Sequence, residues 1–569
     1  GNILIAPSQD PSCFCLMQEQ FGSVCFFGTS MYNHILICIL RFSHNNYTKF
    51  ILTNDHICAT LYTKCCIKHT HIKEVFSMRK KLCILLVLLL LGSSLVSCSG
   101  SSDSKETTPS NPTNDTTSAE NETETTNIYD EAAAALPTEK HADKTFTILT
   151  REEVSFEIDA ESETGEITND AVYSRNMKIE DTYGIKIATV SVGNWDDVTN
   201  SLEASINAGD HTYDLAGQVD FKVYAVVGKQ LCGNWLDLPH VDLSREWWAN
   251  LVNDAATING RLYTAAGDIG ITSILYTDCL FYNADFAEAS GITVESLQNA
   301  VFDKQWTLDY FYNLVANFYT DTNGDGVKDA GDVYGFAVSP GNNTDGWLTA
   351  FDQPIANVDK DGKIAISLLS DKTISALEKL NRLHWKEQGV YNPGAWDFTM
   401  PELVASRHAL FTTGIFNDAR TSFSGMEDDF GILPFPMWDE AQGTYYAGAN
   451  DQFTVLVFPI DTQESDYEYL GTITEALAIE SARTVRPAFY NSALKNRYSM
   501  DANTAQIIDI IMDGRRFDFS FQYGNDILVP YMFRNQIIAQ SNDIVSTYEK
   551  SQKAIETKLS AIAGYYGLE

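Results

Sequence analysis

Met78-Arg-Lys-Lys81 is followed by Leu82-Cys-Ile-Leu-Leu-Val-Leu-Leu-Leu-Leu91 and then by Gly92-Ser-Ser-Leu-Val-Ser-Cys98. A basic start, an apolar run and a small-residue cleavage site make a secretory signal peptide, 78–97, and the run is short of the roughly 20 apolar residues that a membrane-spanning helix needs. The chain beyond the signal must fold after export, from its own core. A signal peptide works at an N-terminus, so residues 1–77 are expected to be an upstream translation or gene-model artefact. They hold seven of the 11 Cys. Their densest cluster, Cys65-Cys66-Ile-Lys-His69-Thr-His71, lacks the ligand spacing of a zinc site.

Leu95-Val-Ser-Cys98 resembles a bacterial lipobox, and the resemblance implies cleavage before Cys98 and a diacylglycerol on its sulfur. Residues 98–140 then read as the lipidated Cys and a disordered Ser/Thr/Asp/Glu linker, because Ser99–Thr126 has almost nothing apolar to bury. As a coil it would reach roughly 30 Å. Residues 1–97 hold eight of the 39 Lys/Arg and four of the 76 Asp/Glu, so the chain from Cys98 carries a formal charge of −41. That excess of carboxylate argues against nucleic acid as a partner. The two remaining thiols, Cys232 and Cys279, have apolar neighbours and read as buried small hydrophobes, with a single bridge as the alternative.

Thr145–Thr150 has the composition of a first strand. Val172, Asn176, Ile179 and Tyr183 then recur at helical spacing and Gly184 stops the helix. A second strand at Ile185–Val190, a second helix at Val198–Ala208 and a third strand at Tyr213–Gly217 continue the alternation, which predicts an α/β domain with a parallel sheet. Ligands of such sheets sit beyond the carboxyl ends of the strands, which makes Arg151, Gln218 and Asp220 candidate binding residues.

Five further signals occur in order: Ala208-Gly-Asp-His-Thr-Tyr213-Asp214-Leu, Gly260-Arg-Leu-Tyr263, Leu280-Phe-Tyr-Asn283-Ala-Asp285-Phe, Gln305-Trp306-Thr307-Leu-Asp309 and Ser406-Arg-His-Ala-Leu-Phe-Thr-Thr-Gly414. With them the chain from about Lys144 onward resembles a family 1 extracellular solute-binding protein, the lipid-anchored receptor of a bacterial ABC importer. The resemblance implies a two-lobed periplasmic-binding-protein-like (Venus flytrap) fold of type II, with three crossovers, near Gly267, Phe423 and Ile460. Lobe 1 would comprise 141–267 and 424–460, and lobe 2 would comprise 268–423 and 461–569. It also implies a monomer on the outer face of the cytoplasmic membrane that binds a small carbohydrate and hands it to permease subunits.

Asp268 follows the first crossover, and Asn450 and Asp451 precede the apolar strand Phe453–Phe458, so all three are candidate ligand contacts. Apolar sugar faces stack on aromatic planes, which makes Trp347 and Trp396, each beside glycine, candidate platforms, with core packing as the alternative. The resemblance adds Phe416, at the position where sugar-binding members place an aromatic after the glycine of the last signal.

Asp321-Thr-Asn323-Gly-Asp325-Gly-Val327-Lys-Asp329-Ala-Gly-Asp332 places oxygen ligands at positions 1, 3, 5, 7, 9 and 12, with Gly at 6, as in a calcium-binding EF-hand loop. Asp321, Asn323, Asp325, Val327 through its carbonyl, Asp329 and Asp332 are the expected ligands of a structural calcium ion. The alternative is a Gly-rich turn without an ion.

No G-x-S-x-G, H-E-x-x-H or G-x-x-x-x-G-K occurs after Cys98, and the chain reads as a binding protein and not an enzyme. A surface glycoside hydrolase, which needs only two placed carboxylates, and a surface adhesin are the competing classes. The lipobox carries the first prediction: Cys98→Ser should move the protein from the membrane fraction to the medium, and retention of that variant on intact cells would exclude lipid anchoring through this residue.

Overall fold

The structure is a computed structural model that describes residues 4–5, 16–17, 120–341, 344–359, 363–489 and 502–568, with side chains from 128 onward. The signal peptide, Cys98 and the first part of the linker lie outside the described residues. Residues 1–114 form a separate unit, in which Leu4–Ile5 pairs antiparallel with Leu16–Met17.

The linker ends earlier than its composition predicts. Helix α1 spans Glu120–Ala135, and its Tyr129, followed by Leu136, is buried in the core. An alanine run, Ala132–Ala135, favours helix, and the two apolar anchors spaced by seven residues give it a face to bury. The Tyr129 hydroxyl donates to Glu246 Oε1 at 2.5 Å. The tether expected to run to residue 140 therefore stops before 120.

Strand β1, Thr145–Arg151, is followed by α2, Ile167–Tyr183, then β2, Lys186–Val192, α3, Trp195–Ala208, and β3, Leu215–Val219. Val172, Ile179 and Tyr183 bury the face their spacing predicts. Glu166 caps the start of α2 by accepting from the Asn169 N–H, and Gly184 closes its end at φ 67°. A left-handed residue there satisfies the last carbonyls, and glycine adopts it without a Cβ penalty. β1 pairs parallel with both β2 and β3.

The second sheet is built from β4, Asp278–Asn283, β5, Val333–Ala337, β6, Val390–Tyr391, β7, Ala409–Ile415, and β8, Phe430–Leu433, in the order β6-β5-β7-β4-β8. β9, Thr454–Val457, returns to the first sheet as an antiparallel edge on β3, giving the order β9-β3-β1-β2. The chain is thus α/β and two-lobed, each lobe a sheet with its own helices.

The passages between the lobes correct the boundaries read from sequence. β8 pairs with β4 in register Phe430↔Asn283 to Leu433↔Leu280, so residues 424–433 belong to lobe 2. The return comes at Ala447–Phe453, beside the first passage: Thr277 bridges Ala449, and the Asp278 N–H donates to the Gly448 carbonyl at 2.9 Å. Helix α4, Tyr467–Glu480, assigned to lobe 2 from sequence, packs Leu470, Ile473 and Leu477 into one cluster with Phe146, Tyr183 and Trp247 of lobe 1. Helix α5, Ala502–Asp513, by contrast packs on β8. Phe489 thus packs with Val172 of lobe 1 while α5 packs on lobe 2, which sets aside the crossover expected near Ile460. The last helix, α6, Ile544–Tyr565, touches elements of both lobes. Non-local strand pairing decides these assignments, and local composition carries no record of it. Cys232 and Cys279 are buried free thiols.

Helix α4 is held against lobe 1 at Gly471, where an added Cβ would lie 2.0 Å from the Pro239 carbonyl oxygen. Gly471→Ala in an unconstrained helix would gain about 1 kcal/mol. Here it should instead lose about 1–3 kcal/mol by overpacking. A fall in the urea midpoint would verify the contact, and a rise would refute it.

Candidate ligand cleft

The two adjacent passages form the floor of a cleft between the lobes. Asp220 reaches it from the end of β3, Asp278 from the start of β4, Asp345 from the loop before the helix Gly346–Ala350, and Asp451 from the return passage. These four carboxylates line a cavity of about 20 Å³. Burial pushes all four above the usual carboxylate range, and the Asp451 charge adds to the effect on the other three. Asp220 accepts from Gln522 Nε2 at 3.0 Å, Asp451 accepts from the Tyr531 hydroxyl at 2.9 Å, and Asp345 pairs with Arg534. The Arg534 guanidinium lies 4.0 Å from the Tyr531 ring centroid and 5.3 Å from that of Trp396.

A second cavity, of about 270 Å³, shares Asn450 with the first and is bordered by Trp396, Phe398, Tyr276 and Asn417. Trp396 is 49% exposed and Phe398 81% exposed. Trp396 also sits at φ 66°. That conformation is strained for a bulky side chain and clusters at binding sites, where it aims a group that packing alone would not place. Gly341 lies under the indole: a Cβ there would come 3.0 Å from the ring.

The sequence-derived candidates divide sharply. Asp220, Trp396, Asn450 and Asp451 meet at the two cavities. Trp347 does not: it is fully buried among Phe311, Phe351 and Phe435, because its short helix turns the indole into the lobe 2 core. Phe416 is likewise buried in that core. Neither can stack on a ligand, and both assignments are corrected to core packing. Arg151 is buried with Nη2 donating to the Gln452 carbonyl and Thr454 Oγ1, and Nη1 to Glu153, so it pins the return passage to β1. Gln218 points inside lobe 1, donating to Thr199 Oγ1 at 2.8 Å. Asp268 pairs with Arg486 at 2.9 Å and lines a separate cavity with Glu246 and Arg515. Burial pushes its carboxyl up to about 7.

Sequence reasoning missed Asp278, Asp345, Tyr531 and Arg534. Asp278 opens a strand, a position that could have been flagged. Tyr531 and Arg534 lie in the C-terminal helices, whose return to the cleft has no local signal.

The Asp321–Asp332 loop is closed by its own hydrogen bonds: Asp321 accepts from the N–H groups of Gly324 and Gly326, Asp325 from Val327, and Asp329 from Gly331. Asp332 is buried and accepts from the Thr322 N–H and the Tyr319 hydroxyl at 3.0 Å, contacts that hold it below the usual range against the opposing effect of burial. The donor chemistry suits an oxygen-seeking cation, since a carboxylate offers about four lone-pair sites and these bonds leave some open. The carboxylates do not converge: among the described residues no three acidic, His or Cys side chains are grouped to hold a metal.

No protein-family model and no curated protein matches the chain. Solved solute-binding proteins do resemble it in structure. One from Thermotoga lettingae, bound with alpha-D-tagatose, has 16% identity, covers 74% of this chain and 99% of its own, and gives a TM-score of 0.48. The lacto-N-biose-binding protein of a Bifidobacterium longum ABC transporter gives 0.47 at 13% identity, covering 76% and 99%. The maltodextrin-binding domain from Bdellovibrio bacteriovorus, bound to maltotriose, gives 0.47 at 14% identity, covering 73% and 100%. The two-lobed architecture rests on the sheets and passages described above.

Proposed function

We propose that this chain is an extracellular solute-binding lipoprotein, anchored through Cys98, that captures a carbohydrate between its lobes and delivers it to an ABC permease. The observation that carries the reading is the exposed, strained Trp396 beside a cavity that opens along the passages joining the two lobes. Several passages let the lobes hinge while staying attached. A ligand that moves an open-to-closed ratio from 1:99 to 99:1 must favour closure by about 5.5 kcal/mol. Ring stacking of about 0.5–1.5 kcal/mol supplies a minor part, and charge-assisted hydrogen bonds from both lobes supply the rest. The chain binds and does not turn over its solute.

The test uses sugars and small-angle scattering. Wild type should compact on binding, and Trp396→Ala should weaken binding and shrink the compaction. Trp347→Ala should instead cost about 3–5 kcal/mol of stability, the usual loss at an emptied aromatic core site. Absence of compaction with every sugar tried would overturn the receptor reading, and release of sugar product would favour a hydrolase.

We further propose that the Asp321–Asp332 loop takes a calcium ion that stabilises lobe 2, supported by the ligand spacing and by the exposure of Asp325 and Asp329. Chelator should lower the wild-type melting temperature, and Asp325→Ala should abolish that dependence. An unchanged melting curve in chelator would identify the loop as an ordinary turn.

A further inference from the structure

The cavity of about 20 Å³ is too small for a sugar ring. It exceeds the roughly 10–15 Å³ that one water needs, so it can hold a group the size of an ammonium. Its walls are unusual. Asp220 is fully buried, and its Oδ2 has no hydrogen-bond partner. Asp278 is 4% exposed, and its carboxylate makes no hydrogen bond or ion pair with any described residue. Asp345 Oδ1 is likewise without a partner, its Oδ2 being used by Arg534. Uncompensated buried carboxylates cost several kcal/mol each, so a fold keeps them together only where something else supplies the positive charge or the protons.

The backbone around Asp278 makes room for such a group. Gly346 and Gly448 flank its carboxylate, and a Cβ at either position would fall 2.6 or 2.7 Å from Asp278 Oδ2. Arg534 is committed to Asp345 and stacks on Tyr531, and Arg516 also borders the cavity but is exposed, with Nη1 donating to the Arg515 carbonyl. A neutral hydroxyl could accept or donate in this cavity, whereas a cation would also offset the carboxylate charge.

We infer that the solute carries a cationic nitrogen, which seats in this carboxylate-lined cavity while a neutral part of the molecule occupies the adjoining cavity at Trp396. This deepens the solute-binding reading and rests on it. Asn450, which borders both cavities, is the junction between the charged and neutral halves. Burial and the neighbouring Asp451 charge both push the Asp220 and Asp278 carboxyls above the usual range, in keeping with carboxylate charge that lacks a compensating cation.

The experiment compares matched ligands on the full chain by titration calorimetry at neutral pH: glucosamine oligomers against their N-acetylated counterparts, and spermidine as an amine without a sugar. Free-amine oligomers should bind at least about tenfold more tightly than the acetylated forms, the worth of one hydrogen bond to a charged group. Asp278→Asn should erase that preference. Asp220→Asn is the second variant should the first not fold. Tight binding of spermidine alone would keep the cation pocket and assign it to polyamines. Equal or tighter binding of the acetylated oligomers, an unchanged ratio in both variants, or failure of every amine to bind would overturn the inference. Compaction of wild type on a neutral sugar in the same series would leave the solute-binding reading standing.

Discussion

Two backbone segments passing each other between the lobes constrain everything else in this molecule. The Asp278 N–H to Gly448 carbonyl bond and the Thr277–Ala449 bridge hold the outgoing and returning passages side by side. Backbone groups buried there must find partners, and each passage supplies them to the other. The close approach places Gly448 and Gly346 against the Asp278 carboxylate, so no larger residue fits without displacing an acid. Because β4 starts at Asp278 and β9 follows Asp451, the ends of both sheets converge on one small volume.

That convergence makes the cleft electrostatically expensive. Asp220, Asp278, Asp345 and Asp451, from four parts of the chain, meet where water is largely excluded, with Arg534 paired to one of them. Two buried acids of lobe 1 differ from them. Glu157 accepts from the Thr272 N–H and the Thr454 hydroxyl, and Glu475 accepts from the indole N–H groups of Trp247 and Trp248. These satisfied acids hold the lobe 1 framework together, whereas the open oxygens of Asp220 and Asp278 contribute nothing to the fold as it stands. A buried polar group without a partner is costly in itself, and the contrast sets these cleft acids apart from Glu157 and Glu475.

Legibility followed the range of the interactions involved. The α2 face, its glycine stop and the β-α alternation of lobe 1 depend on neighbours within a few residues, and periodicity exposes them. Asp220 and Asp451 were reached through the rule that ligands sit at strand ends, and Trp396 through aromatic chemistry beside glycine. The same rules put Trp347, Arg151 and Gln218 at the site, and the family resemblance added Phe416; packing turned each of them inward. An indole beside glycine reads alike in a core and at a cleft, since burial is set by what lies across the sheet.

The sequence by itself determined the acidic balance of the chain, the alternation that makes lobe 1 a parallel sheet, and the oxygen spacing of the Asp321–Asp332 loop. These are properties of composition and short spacing, where side-chain chemistry and backbone preference act locally. Only the tertiary structure decided that β8 joins lobe 2, that α4 joins lobe 1 and that α1 orders the end of the linker. It alone gathered Asp220, Asp278, Asp345 and Asp451 around one cavity. Each of those outcomes depends on pairings across a hundred or more residues, chosen by which surfaces can be buried together once the whole chain is folded.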